Sequence, residues 1–400
     1  MKILYFGTVC DLDYYYNFLK GSKYIPSVAP VVFESALLGG IYQNGIETEI
    51  HSYPMIPTFP ASKHLYFSSH NEKLSCGYTC RWLKTLNIPI LKQITRRNDA
   101  KIMLRRWLKE NSDNGVILTY SIPPFLIKTI LKYASKYSVK VIPVVTDLLR
   151  DMYVNESKKS FFYILKDRYL KNAIKLQGEC DGYIYLTEAM RDVVAPSKPY
   201  MVMEGIADID NLSFEKSIKA EPRAIMYAGA LYEKYGIINL IKAFELINSF
   251  DTELWIFGDG SAVSEIKKIL EQNGRIKYFG SLSREKILEY EKKSVLLVNP
   301  RDPNEEFTKY SFPSKTIEYM LSGTPLLTTG LQGIPKEYFD YVFCVNDNSV
   351  ESLAVAIDKA LQYSNEELEA MGRRAQKFIV ENKNAKCQAE KIIQFINSLN

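Results

Sequence analysis

Histidine, tryptophan and cysteine are scarce in this chain, at three, three and six copies in 400 residues. The closest cysteine pair, Cys76 and Cys80 in CGYTC, has no second pair and no histidine cluster nearby, which argues against a metal site. Six cysteines in this length do not make a disulfide framework and read as reduced thiols of a cytosolic protein. None of His51, His64 and His70 follows a convincing strand end, so each reads as a surface or hydrogen-bonded side chain. No apolar run approaches the ~18 residues of a membrane-spanning helix. The opening MKILYFGTVCDLD has no extended apolar core followed by small residues, so it reads as a buried strand rather than a signal peptide. Neither sign of charge dominates, with 51 Lys and Arg against 46 Asp and Glu. A net +5 suits anionic small molecules or an anionic surface and is too weak to argue for nucleic acid. There is no low-complexity tract and no repeat with a period of about 20 to 50 residues.

What remains is a chain able to build full cores, 46% hydrophobic and 24% charged, and long enough for two domains. In the first half KILYF, GVILTYS, VKVIPVV and DGYIYLT look like buried parallel strands, with helical stretches between them. ADIDNLSFEKSIKAEP, after Ile206, is polar and aperiodic and reads as an interdomain linker. The second half alternates RAIMYAG, TELWIFG, RIKYFG, SVLLVNP, TPLLTT and YVFCV with helices. Such alternation means α/β architecture, two doubly wound parallel sheets facing a cleft, with ligands outside the carboxyl ends of the strands.

Three strand-end loops then stand out. YAGALYEKYG leaves a strand at Gly229 and carries Lys234. WIFGDGSA passes Gly258, Asp259 and Gly260, where the backbone can approach a ligand. KYSFPSKTIEYMLSGTPLLTTG, from Lys309 to Gly330, follows SVLLVNP; its helix is expected to begin near Ser314 and to stop at Gly323, with Pro325 beyond. Ile317, Met320 and Leu321 have the spacing of a buried face, leaving Ser314, Lys315, Glu318 and Ser322 on the other. The helix start suits a phosphate, Lys315 adds a charge there, and Glu318 can accept hydrogen bonds from a sugar diol. An ordinary Lys315–Glu318 pair on a solvated face is the plainer alternative.

In order, GALYEKYG, FGDG, YFGSLS and EYMLSGTPLLTT resemble the nucleotide-sugar-binding half of the GT-B glycosyltransferases, in particular the retaining family-four (group 1) enzymes. VVTDL, CDGYIYLTEAM and MVMEGIAD extend the resemblance more loosely over the first half. The resemblance implies two Rossmann-like domains: residues 1–206 binding the acceptor, 221–385 binding the nucleotide sugar, and 386–400 a C-terminal helix able to pack back on the first domain. It implies Lys234 on the diphosphate and Glu318 on the ribose, as the second Glu of a Glu, seven residues, Glu pattern. The first Glu of that pattern is Tyr310 here, the usual Arg after the first glycine is absent from Gly229-Ala230-Leu231, and Glu204 stands where the interdomain turn has Asn. The donor contacts expected on these grounds are Gly229, Lys234, Gly258, Asp259, Tyr310, Ser311, Phe312, Pro313, Ser314, Lys315 and Glu318, with Asp147, Lys234 and Lys315 as catalytic residues. Asp147 follows the strand VKVIPVV and resembles a polar position near the reacting sugar carbon; its alternative is a helix N-cap.

The expected activity is transfer of a sugar from a nucleoside diphosphate donor, UDP-sugar favoured, to a glycan or lipid-linked acceptor with retention, in bacterial polysaccharide biosynthesis. No metal or other cofactor is needed where lysines and a helix terminus hold the leaving diphosphate. The mixed Trp, Lys and Arg stretch from Arg81 to Glu110 reads either as a surface able to lie on an anionic membrane or as a packed helix with a solvated basic face. The expected location is cytoplasmic, at the inner face of the membrane if the first reading holds. Two rivals stand beside this activity: a nucleotide-sugar epimerase, and a non-catalytic partner subunit of another transferase.

Overall fold

The computed structural model describes residues 1–121, 123–149, 161–209, 218–249 and 251–399. The chain divides into two compact units, Met1–Ile206 with Ala385–Asn400, and Ala207–Asn384.

The strands of the first unit are β1 (Lys2–Gly7), β2 (Glu47–Ser52), β3 (Tyr66–Phe67), β4 (Asn71–Lys73), β5 (Thr79–Trp82), β6 (Thr85–Leu86), β7 (Gly115–Tyr120), β8 (Lys140–Val145), β9 (Tyr183–Tyr185) and β10 (Tyr200–Val202). Eight of them form a sheet in the order β10-β9-β8-β7-β1-β2-β5-β4, parallel except where β4 meets β5. The four apolar runs of the sequence are β1, β7, β8 and β9, the buried centre of this sheet and its flank. The polar ETEIHS and TCRW lack that signal because β2 is buried only over its last three residues and β5 lies near the sheet edge.

The helix Ala385–Ser398 packs on the helix Ala29–Gln43, and its Ala389, Ile392 and Ile396 join the core of the first unit. Gly40 makes the approach possible, since a Cβ there would lie 2.0 Å from the Ala385 carbonyl oxygen.

The Arg81–Glu110 stretch is not one amphipathic surface. Trp82 ends β5 with no exposure, and Trp107 is buried on the helix Leu91–Glu110. Lys92 and Arg96 are buried as well; Arg96 donates to the Pro54 carbonyl at 2.9 Å and to Thr85 Oγ1 at 3.1 Å. The tryptophans are therefore core residues, which corrects their reading as membrane-facing groups. Arg97, Lys101, Ile102 and Arg105 remain exposed.

Among its described residues the second unit has six parallel strands, β11 (Arg223–Ala228), β12 (Thr252–Phe257), β13 (Ile276–Gly280), β14 (Leu296–Asn299), β15 (Leu326–Thr329) and β16 (Phe343–Val345), in the order β13-β12-β11-β14-β15-β16. The strand order turns back between β11 and β14, and that is the switch point outside which doubly wound sheets bind ligands. Part of the stretch read as a linker, residues 210–217, lies outside the described residues. Its described flanks belong to the second unit: the Ala207 N–H donates to the Lys383 carbonyl at 2.8 Å, and Lys219 Nζ to the Ser294 carbonyl at 2.8 Å. The second unit thus starts at Ala207 rather than at residue 221.

Candidate active site

The loops after β11 and β12 pack backbone against backbone. Gly258 has φ +126°, and a Cβ there would lie 1.8 Å from the Gly229 carbonyl oxygen, so no other residue fits. The Leu231 N–H reaches the Asp259 carbonyl at 2.9 Å, tying the two loops together. Asp259 turns its carboxylate onto its own loop, accepting from the Gly260 N–H at 2.8 Å. The side chain is otherwise exposed.

Lys234 stands exposed in the short 3-10 turn Glu233–Tyr235. Its ammonium lies 5.2 Å from the ring centre of Tyr235 and 5.6 Å from that of Phe307, and it makes no ion pair among the described residues.

The helix Lys315–Leu321 begins after Ser314, as the sequence implied, but Ser314 has helical dihedrals and forms no side-chain cap. Phe312 and Pro313 are buried; Phe312 packs on Tyr338 with ring centres 5.6 Å apart. Both anchor the helix start in the core. Ser311 Oγ donates to the Phe307 carbonyl at 3.1 Å, and Tyr310 caps the turn Glu306–Lys309. Ser322, placed by spacing on the open face, is buried and donates to the Tyr319 carbonyl at 2.7 Å. Gly323 ends the helix at φ +78°.

Lys315 and Glu318 share the open side of this helix and are bonded to each other, Nζ to Oε1, at 2.6 Å. Lys315 also lies 3.8 Å from Oε1 of Glu291, a fully buried residue of the helix Arg284–Lys293. Burial and the neighbouring Glu318 carboxylate push the Glu291 carboxyl up to about 8. Lys315 is therefore paired with the Glu318 carboxylate and lies beside a Glu291 carboxyl that burial keeps protonated at neutral pH, so its charge already has one partner before any ligand arrives.

Tyr319 went unremarked in the sequence, where it falls between the two patterned faces. It is buried, and its hydroxyl donates to the Ala228 carbonyl at 2.9 Å while accepting from the Ala228 N–H at 2.7 Å. This double bond clamps the helix to the last residue of β11, next to Gly229. Arg301 was also missed, although it stands just past the end of β14, where the strand-end rule points.

Asp147 lies in the first unit just past β8, exposed, with Oδ2 accepting from Thr146 Oγ1 at 3.1 Å. No described helix starts at it, so the N-cap alternative finds no support; the next described helix begins at Phe161. Thr146 Oγ1 is also 3.2 Å from the Tyr120 hydroxyl, so a short polar chain runs across the ends of β7 and β8. His51 is buried on β2 with Nε2 2.8 Å from Glu49 Oε1, and His64 Nε2 lies 2.8 Å from the Phe18 carbonyl.

Residues 208–378 match the family model described as glycosyl transferases group 1. No curated protein matches the sequence. Solved structures of the same fold span essentially the whole chain. Sucrose-phosphate synthase from Thermosynechococcus elongatus is 12% identical at a TM-score of 0.61, with 100% of this chain and 99% of that one covered. HepE of Anabaena in complex with UDP is 13% identical at 0.63, with both chains covered to 100%. A mutant of S. aureus TarM in complex with fondaparinux, alpha-GlcNAc-glycerol and UDP is 12% identical at 0.59, covering 99% of this chain and 100% of that one. Residues 208–378 are thus similar to the group 1 glycosyl transferases, and the chain has the GT-B fold of two Rossmann-like domains.

Proposed function

We propose that the protein moves a sugar from a nucleoside diphosphate donor, UDP-sugar favoured, to a glycan or lipid-linked acceptor in polysaccharide biosynthesis, with the anomeric configuration retained. The observation that carries the reading is the placement of Glu318. It is half-exposed on a helix clamped by Tyr319 to the end of β11, beside the Gly229–Gly258 contact. A carboxylate there can accept both hydroxyls of a ribose while the glycine loops admit the diphosphate. The UDP bound by HepE and TarM supports the choice of base.

In the reaction the bond from the anomeric carbon to the phosphate oxygen breaks, and the diphosphate leaves with the electron pair. The acceptor hydroxyl oxygen bonds the carbon and gives its proton to the oxygen of the departing diphosphate. Cations around the diphosphate stabilise the developing charge without a metal. Asp147, in the first unit, is our candidate for the residue facing the reacting carbon. The exposed Arg97, Lys101 and Arg105 support contact with an anionic membrane that carries the acceptor.

Tyr310 in place of the first Glu favours one other reading, a partner subunit that keeps the fold without turnover. A thermal-shift series with UDP, ADP, GDP and their sugars, followed by donor hydrolysis by the purified protein, tests both. Stabilisation together with hydrolysis supports the transferase. Stabilisation without hydrolysis or transfer supports the subunit, and no stabilisation by any nucleotide overturns the transferase.

A further inference from the structure

The loops after β11 and β14 meet at the switch point. Gly236, at φ +80°, closes the first loop so tightly that a Cβ would lie 1.9 Å from the Pro300 carbonyl oxygen. Arg301 follows Pro300, and its backbone is fixed by Thr329 Oγ1, which donates to the Arg301 carbonyl at 2.6 Å. Its guanidinium lies 4.8 Å from the ring centre of Tyr235. Lys234 approaches the same ring at 5.2 Å. One aromatic ring from the β11 loop thus carries two cations, one from each loop.

The surroundings of Arg301 are phenolic rather than acidic. Tyr227, Tyr235 and Tyr319 are the ionisable groups that act on it, and burial lowers its proton affinity below that of an ordinary arginine. Tyr227 turns its hydroxyl away to the Ala230 carbonyl, at 2.9 Å. Among the described residues Arg301 makes no ion pair and no side-chain hydrogen bond. This is unlike Lys315, whose charge the Glu318 carboxylate offsets at 2.6 Å. A partly buried guanidinium is costly without an anion, and ring contacts of this kind recover only about 0.5–2 kcal/mol.

We infer that Arg301 is the principal arginine of the donor site, its planar fork taking the diphosphate together with Lys234, while Lys315 serves to orient Glu318. The counter-charge that Arg301 lacks in the protein arrives with the ligand. A guanidinium suits the task because it can give two parallel hydrogen bonds to phosphate oxygens. The inference rests on the donor reading above, and it shifts the second phosphate-binding cation from the Lys315 helix to the β14 loop.

Calorimetric titration of the full chain with UDP, ADP and GDP, and with the matching nucleoside monophosphates, tests it. The nucleotide that binds wild type best is taken to Arg301→Gln and Arg301→Lys. Arg301→Gln should weaken the diphosphate on the order of tenfold to hundredfold, the effect of losing a charged hydrogen bond. It should narrow the gap between diphosphate and monophosphate, and the ligand-free protein should melt no lower than wild type. Arg301→Lys, which keeps charge but loses the fork, should fall between and keeps the question answerable if the glutamine variant does not fold. General structural damage would weaken both nucleotides in proportion. Diphosphate affinity and the diphosphate-to-monophosphate ratio both unchanged in the two variants would overturn the role of Arg301 and leave the donor reading standing. No binding of any nucleotide diphosphate to wild type would overturn the donor reading itself.

Discussion

Lys315 Nζ lies 2.6 Å from Glu318 Oε1, a lysine and an acid one turn apart at the start of a seven-residue helix. On an open helix face such a pair contributes a few tenths of a kcal/mol. Here the pair also faces the buried Glu291, and its loss has other consequences. Lys315→Ala leaves Glu291 and Glu318 with no cation between them. The expected result is lower stability together with weaker nucleotide binding through a displaced Glu318. Calorimetry of binding and a melt on the one variant check it; a melt and an affinity both equal to wild type would return the pair to the solvated-face reading.

Glu318→Ala should cost about 1.5–3 kcal/mol of nucleotide binding, the loss of a charged hydrogen bond. Glu318→Gln, which keeps an acceptor, should cost less. Neither should unfold the chain, because Glu318 is half-exposed and the packing of its helix comes from Ile317, Tyr319, Met320 and Leu321. Equal affinities across the three proteins would remove Glu318 from the donor site.

Glu291 gives a pH signature. In the fold it keeps its proton up to about pH 8, while in the unfolded chain it ionises in the ordinary carboxyl range. Between those values the folded state binds more protons, so stability is greatest below the window and falls as pH rises through it. Glu34 acts in the same direction, since burial pushes its carboxyl up to about 7. Lys315, Glu318 and Arg284 are the charged groups facing Glu291. Glu291→Gln should remove its share of the slope, at most about 1.4 kcal/mol per pH unit, and raise stability near pH 8 relative to wild type. Parallel melting curves of the two proteins across the window would contradict this.

For Asp147, exposed past β8 and capping no described helix, Asp147→Asn should cut turnover and leave donor affinity near wild type. A wild-type rate with the true acceptor ends the catalytic assignment.

The buried tryptophans split the membrane question in two. Trp107→Ala should destabilise the fold by about 3–5 kcal/mol, as a core substitution does. Any binding to anionic vesicles should depend on the exposed Arg97, Lys101 and Arg105, weaken as salt rises and vanish on their joint change to Glu. Vesicle co-sedimentation at low and high salt reads both. Protein left in the supernatant at low salt would leave the basic face merely solvated.

The sequence by itself determined the parallel sheets, because strands buried on both faces must be continuous apolar runs, as in β1, β7, β8 and β11. It also determined Gly258 and the stop at Gly323, where backbone geometry admits little but glycine. It placed Glu318 through local helical spacing. Only the tertiary structure decided which charges are offset. Lys315 meets Glu291 because two helices separate in the chain pack together, and Arg301 meets Tyr235 because β11 and β14, far apart in sequence, are neighbours in the sheet. The same holds for Trp82 and Trp107: their place in the core depends on what packs against them, and periodicity along one stretch carries no record of that partner. Local pattern fixes which face a residue takes on its own element; the charge, burial and partner of that face are set by contacts the chain makes at long range.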